Sequence, residues 1–539
     1  MRLTREGIRE KQDWEKAGIR LPGYDVDTVT EKAREAAKWV HFGIGNIFRI
    51  FIGGIADGLL EEGYLDRGVT CVETFDYDVV DKIYDPFDNL ALSVILKSDG
   101  SRDLKVLADS AEAVKGQSSD EKSWKRMKEI FTSKDLQIVS FTITEKGYAL
   151  TRPDGSYLPW VQAELEGGPD SATSAMGIVT AMLLERFRQG KLPVALVSMD
   201  NCSQNGSHLQ ESVCTVAKEW IKRGFAGEDF LAYLEDDSFV AFPWTMIDKI
   251  TPRPSEQIAE DLEKLGVENM SPVITSKRTY IAPFVNAEGP QYLVIEDSFP
   301  NGRPALEHGK GVYMADRNTV NLAERMKVTA CLNPVHSALG PLGVLLGYDL
   351  FADVMEDPQL NKIGRTVAYG EGMQVIEDPK ILSPKAFTDE LFEDRFPNRY
   401  LGDTNLRLCT DITQGFGVRF GVTIQHYTER DGSAAALKAI PLGLAGCMRY
   451  FMGVDDQGKS YELAPDPLAD EIHERLSTVE LGKPETFTDQ LRPILSNPNI
   501  FFTDLYKEGI GEKIEDIFRE MLKGNGACRE TVDKYAAEM

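Results

Sequence analysis

Histidine and cysteine are scarce in this chain and never clustered. Among 539 residues there are six histidines and seven cysteines. Cys71, Cys202, Cys214, Cys331, Cys409, Cys447 and Cys528 are odd in number and contain no Cys-x-x-Cys pair. That excludes a disulfide framework and gives no zinc-ligand spacing, so no metal is expected. Positive charge is also short: 60 Lys and Arg against 86 Asp and Glu leave a net charge of −26. Phosphate contacts need a basic surface, so nucleic acid is not an expected partner. A small anionic substrate needs only local cations and stays open. No uncharged apolar run reaches the roughly 18 residues that cross a bilayer. The opening Met1-Arg-Leu-Thr-Arg-Glu-Gly-Ile-Arg-Glu10 has no apolar signal-peptide core. A cytoplasmic protein with no membrane partner is expected.

What is present is an alternation of β-rich and helical stretches in the first part of the chain. Lys38-Trp-Val-His-Phe-Gly43 reads as a short buried strand that runs through Gly43-Ile-Gly45 into an apolar helix ending near Gly63. Val69-Thr-Cys-Val-Glu73 reads as a second strand, completing a βαβ unit. Further strands are expected at 136–144, 193–198, 292–296 and 311–315, with helices at 177–187 and 207–223. This alternation predicts a mostly parallel sheet. From residue 319 long helical periods take over, at 319–332, 334–355, 386–393, 434–452, 466–478, 485–495 and 512–537. The expected class is α/β, with domains 1–318 and 319–539, the second mainly helical.

Gly43 and Gly45 stand where a strand meets a helix. There they let the backbone approach a pyrophosphate that the helix N-terminus favours electrostatically. The third glycine of the usual fingerprint is replaced by Phe48. Glu73 ends the second strand, where a carboxylate can accept hydrogen bonds from ribose hydroxyls and repel the extra phosphate of NADP. NAD is therefore the expected cofactor; Asp76 and Asp78 compete with Glu73 for the role. Downstream, Lys327, Asn333 and His336 stand close together in Glu324-Arg-Met-Lys-Val-Thr-Ala-Cys-Leu-Asn-Pro-Val-His336. An amine to exchange a proton, an amide to donate to an oxygen and an imidazole to orient it are what alcohol–ketone interconversion requires.

Seven stretches together resemble one family. They are Leu21-Pro-Gly-Tyr-Asp25, His41-Phe-Gly-Ile-Gly-Asn46 with Arg49, Thr142-Ile-Thr-Glu-Lys-Gly-Tyr148, and Asp200-Asn201 with Asn205-Gly206. The others are Phe242-Pro-Trp-Thr-Met-Ile-Asp-Lys-Ile-Thr-Pro252, the segment from Lys327 to His336, and Arg395-Phe-Pro-Asn398. In this order they resemble the mannitol dehydrogenase family, the polyol-specific long-chain dehydrogenase/reductases. The resemblance implies a Rossmann-type N-terminal domain, a mainly α-helical C-terminal domain, and metal-independent hydride transfer between a nicotinamide cofactor and a sugar alcohol or sugar acid. It implies Lys327 as the acid–base, Asn201 and Asn333 as the polarising amides, His336 as the orienting group and Glu324 as an aid to proton release. It also places Ile44, Asn46, Phe48, Thr144 and Glu145 at the nucleotide. One departure stands out. The family spaces lysine and asparagine by four residues, and here residues 328–332 make five. On an uninterrupted α-helix one extra residue turns a side chain by about 100°. Pro334 disfavours helical geometry at Asn333, which is expected to sit in a break, as an N-cap, where an insertion is absorbed.

A lysine with a pKa near 10.4 is a poor base at neutral pH unless burial lowers it. A uronate substrate would also need a guanidinium for its carboxylate. Arg395, Arg399 and Arg419 are the candidates, and the glycine-rich run Asp411 to His426 is a candidate pocket wall. The pattern resembles the branch of the family that reduces fructuronate to mannonate in uronate breakdown. Tagaturonate and mannitol remain alternative substrates, and a nucleotide-binding member without catalysis is the alternative of a different class. Oligomeric state is left open by the sequence.

Overall fold

The computed structural model describes residues 1–539, which fall into two compact units, Met1–Asn321 and Leu322–Met539. The core of the first unit is a six-stranded sheet of β1 (Trp39–Phe42), β2 (Val69–Glu73), β3 (Ser110–Lys115), β4 (Ile138–Phe141), β5 (Val194–Ser198) and β6 (Val240–Ala241). The strands lie in the order β3-β2-β1-β4-β5-β6, all parallel. That is the doubly wound order, which reverses direction at β1 and leaves a crevice at the carboxyl ends of β1 and β4.

Alternation of side chains sets the two faces. Val40, Phe42, Val139, Phe141 and Leu196 enter one apolar core, with Trp124, Phe131 and Trp220. Trp39, Cys71, Ile138, Ala195 and Val197 enter the other, with Phe48, Phe51 and Leu59. Strands covered on both faces read as nearly continuous apolar runs, which is why β1, β2 and β5 are conspicuous in the sequence. The chain leaves β1 through Gly43 to Asn46, passes a π-turn at Phe48–Ile52 and continues as α1 (Gly53–Glu61). Gly53 is required by close packing: a Cβ there would lie 2.8 Å from Asp109 Oδ2. Gly54 faces open space, and packing does not explain it.

Three smaller sheets complete this unit, one of them only the antiparallel pair Val273–Ile274 and Tyr280–Ile281. One mixed sheet joins Ile19–Arg20, Arg102–Leu107, Ala91–Leu96 and Phe284–Glu288. The third joins Thr245–Asp248, Tyr292–Glu296 and Val312–Ala315, so the two late strands lie outside the main sheet. Beyond β5 the helix α2 (Asn205–Lys222) begins. Its Gly206 allows the carbonyls of Phe242 and Pro243 to approach within 2.6 and 2.8 Å of where a Cβ would be.

The second unit is helical. The chain enters it through α3 (Arg317–Arg325), a π-turn at Met326–Cys331 and α4 (Asn333–Leu345). The run Arg317–Leu345 is long and apolar enough to cross a membrane, and its apolar window is 78% buried inside the protein, as a core helix is. The glycine-rich run from Asp411, a candidate pocket wall by sequence, is helical over much of its length: a π-turn at Gly417–Gly421 leads into α5 (Val422–Asp431). Its glycines serve close packing, since a Cβ on Gly421 would lie 1.9 Å from Phe501 O and one on Gly417 2.6 Å from the Phe502 ring. The helix α6 (Ala439–Tyr450) crosses α4 closely where Gly443 meets Ala338 and Gly446 meets Leu342.

Candidate active site

At the carboxyl edge of the main sheet, Gly43 has φ +86° and a Cβ there would lie 2.2 Å from Thr142 O. No side chain fits that position, on steric and backbone grounds alike. Nothing lies within 4 Å of where a Cβ of Gly45 would be, so the backbone there is open to close approach. Asn46, at the start of the helix, carries a buried Oδ1 with no hydrogen-bond partner. This strand–glycine–helix junction fits the phosphates of a dinucleotide.

The loop is held from behind. His41 is fully buried; its Nδ1 meets Ser140 Oγ at 2.7 Å and its Nε2 meets Thr142 Oγ1 at 2.8 Å. Thr142 Oγ1 in turn donates to Gly43 O at 2.8 Å. Burial lowers the His41 pKa to about 3, so the ring is neutral. Phe48 stacks on it at 4.2 Å and is itself fully buried. The sequence places Phe48 at the nucleotide; its ring instead fills the core, because an apolar side chain in this turn gains most by leaving water. The Ile44 side chain is likewise buried, and its carbonyl accepts from Tyr84 Oη at 3.0 Å.

Glu73, expected to reach a ribose, is turned back on its own loop. Its Oε1 accepts from the amides of Thr74, Phe75 and Asp76 at 3.0, 2.9 and 3.2 Å. The Ile44 amide also bonds to this carboxyl group; burial raises its pKa and these amides oppose the rise. Of its competitors, Asp76 is buried and accepts from Thr275 Oγ1 at 2.6 Å, while Asp78 pairs with Lys82 at 2.9 Å.

The ends of β4 and β5 carry the other expected groups of this unit. Thr144, Glu145 and Asn201 are exposed. Between them lies Asp200, which the sequence marks only as part of the Asp200-Asn201 stretch and gives no role; it is 7% exposed. Its carboxylate accepts from the amides of Ile143 and Thr144, each at 2.9 Å, and from Tyr148 Oη at 2.6 Å. Its sequence signal was its place in that stretch, next to Asn201.

In the second unit Lys327 is 2% exposed, on the π-turn, and Glu324 is half-buried on α3. The amide of Leu332 bonds to the Lys327 carbonyl at 3.1 Å, an i→i+5 bond that encloses one residue more than an α-turn. The fifth residue between Lys327 and Asn333 is thus taken up in a wide turn. Thr423 Oγ1 of α5 donates to Thr329 O at 3.1 Å, satisfying a carbonyl within the turn. Asn333 is the first residue of α4; Leu332 precedes it with no side-chain cap bond. Asn333 is therefore not the N-cap expected from the sequence, because the helix already includes it. Pro334 lies in the first turn, where its missing N–H has no intrahelical partner to lose. His336 is half-buried between Phe351 and Phe396, with ring centroids at 4.7 and 5.0 Å. Phe396 belongs to the Arg395-Phe-Pro-Asn398 stretch, which therefore helps to hold the imidazole.

The three arginines differ in their surroundings. Arg399 is 47% exposed and paired with Asp353 and Glu356 at 2.9 and 3.1 Å, so its charge is already answered at the surface. Arg395 is buried, its guanidinium 5.9 Å from the Phe387 ring. Arg419 donates from Nη1 to the hydroxyl of Ser337, the neighbour of His336, at 2.8 Å and meets no carboxylate; burial lowers its pKa. A cavity of about 580 Å³ on this unit is lined by Arg325, Thr329, Gln374, Glu377, His426 and Arg430 among others; His426 ends the glycine-rich run, and none of the expected catalytic or substrate residues lines it.

A doubly wound parallel sheet with a glycine turn at its switch point, in a chain that also carries a helical unit with a buried lysine, defines a Rossmann-type oxidoreductase. Family models agree: the Mannitol dehydrogenase Rossmann domain matches residues 37–308 and the Mannitol dehydrogenase C-terminal domain residues 320–514. The chain belongs to the mannitol dehydrogenase family and is an oxidoreductase acting on CH–OH groups. It is 50% identical over 536 residues to the D-mannonate oxidoreductase of Thermotoga maritima, covering 99% of both chains. The mannitol 2-dehydrogenase of Pseudomonas fluorescens, solved with NAD and D-mannitol, shares its fold with a TM-score of 0.72 at 24% identity, over 100% of this chain and 99% of that one. A D-sorbitol dehydrogenase in substrate-free form does so with a TM-score of 0.78 at 23% identity, over 99% of each chain.

Proposed function

We propose that the protein is an NAD-dependent oxidoreductase that interconverts D-fructuronate and D-mannonate, working towards mannonate in the cytosolic breakdown of hexuronates. The observation that carries the substrate is the 50% identity, over 99% of both chains, with the Thermotoga D-mannonate oxidoreductase. NAD, when bound, accepts or supplies the hydride.

The residues have these roles. The turn from Gly43 to Asn46 receives the pyrophosphate, and the segment 143–145 borders the nucleotide. Lys327 takes the hydroxyl proton in oxidation and returns it to the ketone oxygen in reduction. Asn201 and Asn333 are the amides that donate to that oxygen as negative charge grows on it. His336, fixed between two phenylalanine rings, orients it. Glu324 relays the proton from the lysine. Arg419, a half-buried guanidinium with only a serine hydroxyl as partner, answers the substrate carboxylate, since an anion offsets its partial desolvation. Arg395 is the second choice.

NADH oxidation measured in parallel with fructuronate, tagaturonate and fructose tests this reading. Fructuronate is expected to turn over fastest. Faster turnover of fructose than of either keto acid would end the uronate reading, and no turnover with any of them would end the enzymatic one.

A further inference from the structure

The carboxyl ends of β4 and β5 are tied together by one side chain. Asp200 spans them: Oδ2 takes the Ile143 amide and Tyr148 Oη, and Oδ1 takes the Thr144 amide. Tyr148 Oη also meets Ser198 Oγ at 2.7 Å, at the end of β5. The backbone of Asp200 is held as well, because Asn205 Nδ2 donates to its carbonyl at 3.0 Å and to Thr245 O and Oγ1 at 3.1 and 2.8 Å.

The turn that Asp200 grips is a strained one. Thr144 has φ +63°, in the left-handed region, where a β-branched residue is an outlier. A conformation of that kind persists only where its surroundings over-determine it. Two amides aimed at one buried carboxylate do so. The same carboxylate belongs to the residue before Asn201. The network extends along the sheet edge, since Thr142 Oγ1 bonds to the carbonyl of Gly43 in the glycine turn.

We propose that Asp200 is a positioning residue for the reaction: through one carboxylate it holds the nucleotide-bordering turn at 143–145 in its strained form and sets the backbone from which Asn201 presents its amide. This rests on the roles given above to Asn201 and to that turn. Asp200 touches neither substrate nor cofactor; it couples two loops that do. An isosteric amide cannot replace it, because an Asn side chain offers one acceptor oxygen where two amides and a hydroxyl converge.

The test uses the full-length chain, with NADH binding followed by fluorescence and fructuronate turnover measured separately. Asp200→Ala and Asp200→Asn are each expected to weaken NADH binding by about tenfold or more, the order of effect of a lost charge-assisted hydrogen bond. Each is also expected to lower kcat by about 10- to 100-fold, as misplacement of a reacting group does. Adding Thr144→Gly to either variant is expected to regain at least about threefold in NADH affinity, because glycine enters the left-handed region without strain. It should leave kcat low, because Asn201 stays unsupported. A merely structural loss would not be repaired by relieving one turn. If both single variants stay within twofold of the parent in both measurements, or if Thr144→Gly recovers no NADH affinity, the proposal is overturned. NADH affinity is read without a sugar, so a parent protein inert towards every ketose would sink the functional reading and still leave this one decided.

Discussion

Asp109 is 3% exposed behind the helix that follows the glycine turn. Burial, with the Asp57 charge nearby, raises its pKa to about 7. The folded chain therefore keeps a proton that the unfolded chain releases near pH 4. Its contribution to stability is complete below about pH 4, falls as pH rises through the window to about 7, and is gone above it. Asp109→Asn is expected to flatten this part of the pH dependence of Tm; an unchanged slope between pH 4 and 7 would count against it. Lys327→Ala is expected to reduce hydride transfer by on the order of 10²–10⁴, the usual share of acid–base catalysis, with NADH still bound. Near-normal turnover would remove the lysine from the mechanism. At this scale the residue types at the site were legible from their chemistry and order, as with Lys327, Asn333 and His336. Their employment was less so. Glu73 and Phe48 occupy the expected places in the chain, yet one carboxylate caps its own loop and one ring fills the core, because each satisfies itself locally before any ligand arrives.

Among the elements, the π-turn at Met326–Cys331 has the largest consequence. An extra residue in a regular α-helix would swing the downstream residues by about 100°. Here the i→i+5 bond of Leu332 to Lys327 contains it, and helix α4 follows. A proline signalled a break near Asn333, but a wide turn is a product of hydrogen bonding and neighbours such as Thr423, which no local preference encodes. Glycine is a second case. Gly421→Ala would put a Cβ 1.9 Å from Phe501 O, and overpacking of this kind costs about 1–3 kcal/mol. A clear drop in Tm is expected. Gly54→Ala meets open space and gains about 0.8–1 kcal/mol of helix propensity, so Tm should hold or rise. Calorimetry of the two variants side by side checks both, and equal Tm values would contradict the packing argument. A run of glycines from Asp411 suggested a pocket wall by composition alone; over Gly417–Gly421 those glycines instead let a helix face pack on Phe501 and Phe502.

For the whole molecule, the elements proposed to hold the nucleotide all belong to the unit Met1–Asn321. Saturating NADH is expected to raise Tm, by about 2.7 kcal/mol of added stability at a hundred times Kd. In hydrogen exchange, protection should concentrate at 43–46, 73–76 and 143–145. Protection confined to the helical unit would move the cofactor away from the sheet edge. The strands and helix of the first βαβ unit were readable because both faces of a parallel sheet are covered, so its strands appear as apolar runs. β3, Ser-Ala-Glu-Ala-Val-Lys115, was not readable: its composition is poor for a strand, and only pairing with β2 makes it one. The sequence by itself determined the class of the chain, its alternating and helical halves, and the inventory of an amine, amides, an imidazole and a glycine turn, since periodicity and residue chemistry are local properties. The tertiary structure alone decided the order β3-β2-β1-β4-β5-β6, that Arg419 meets only the hydroxyl of Ser337, and that Asp200 draws two loop ends together. Those depend on contacts between segments far apart in the chain, where packing and hydrogen-bond satisfaction act and local preference has no reach.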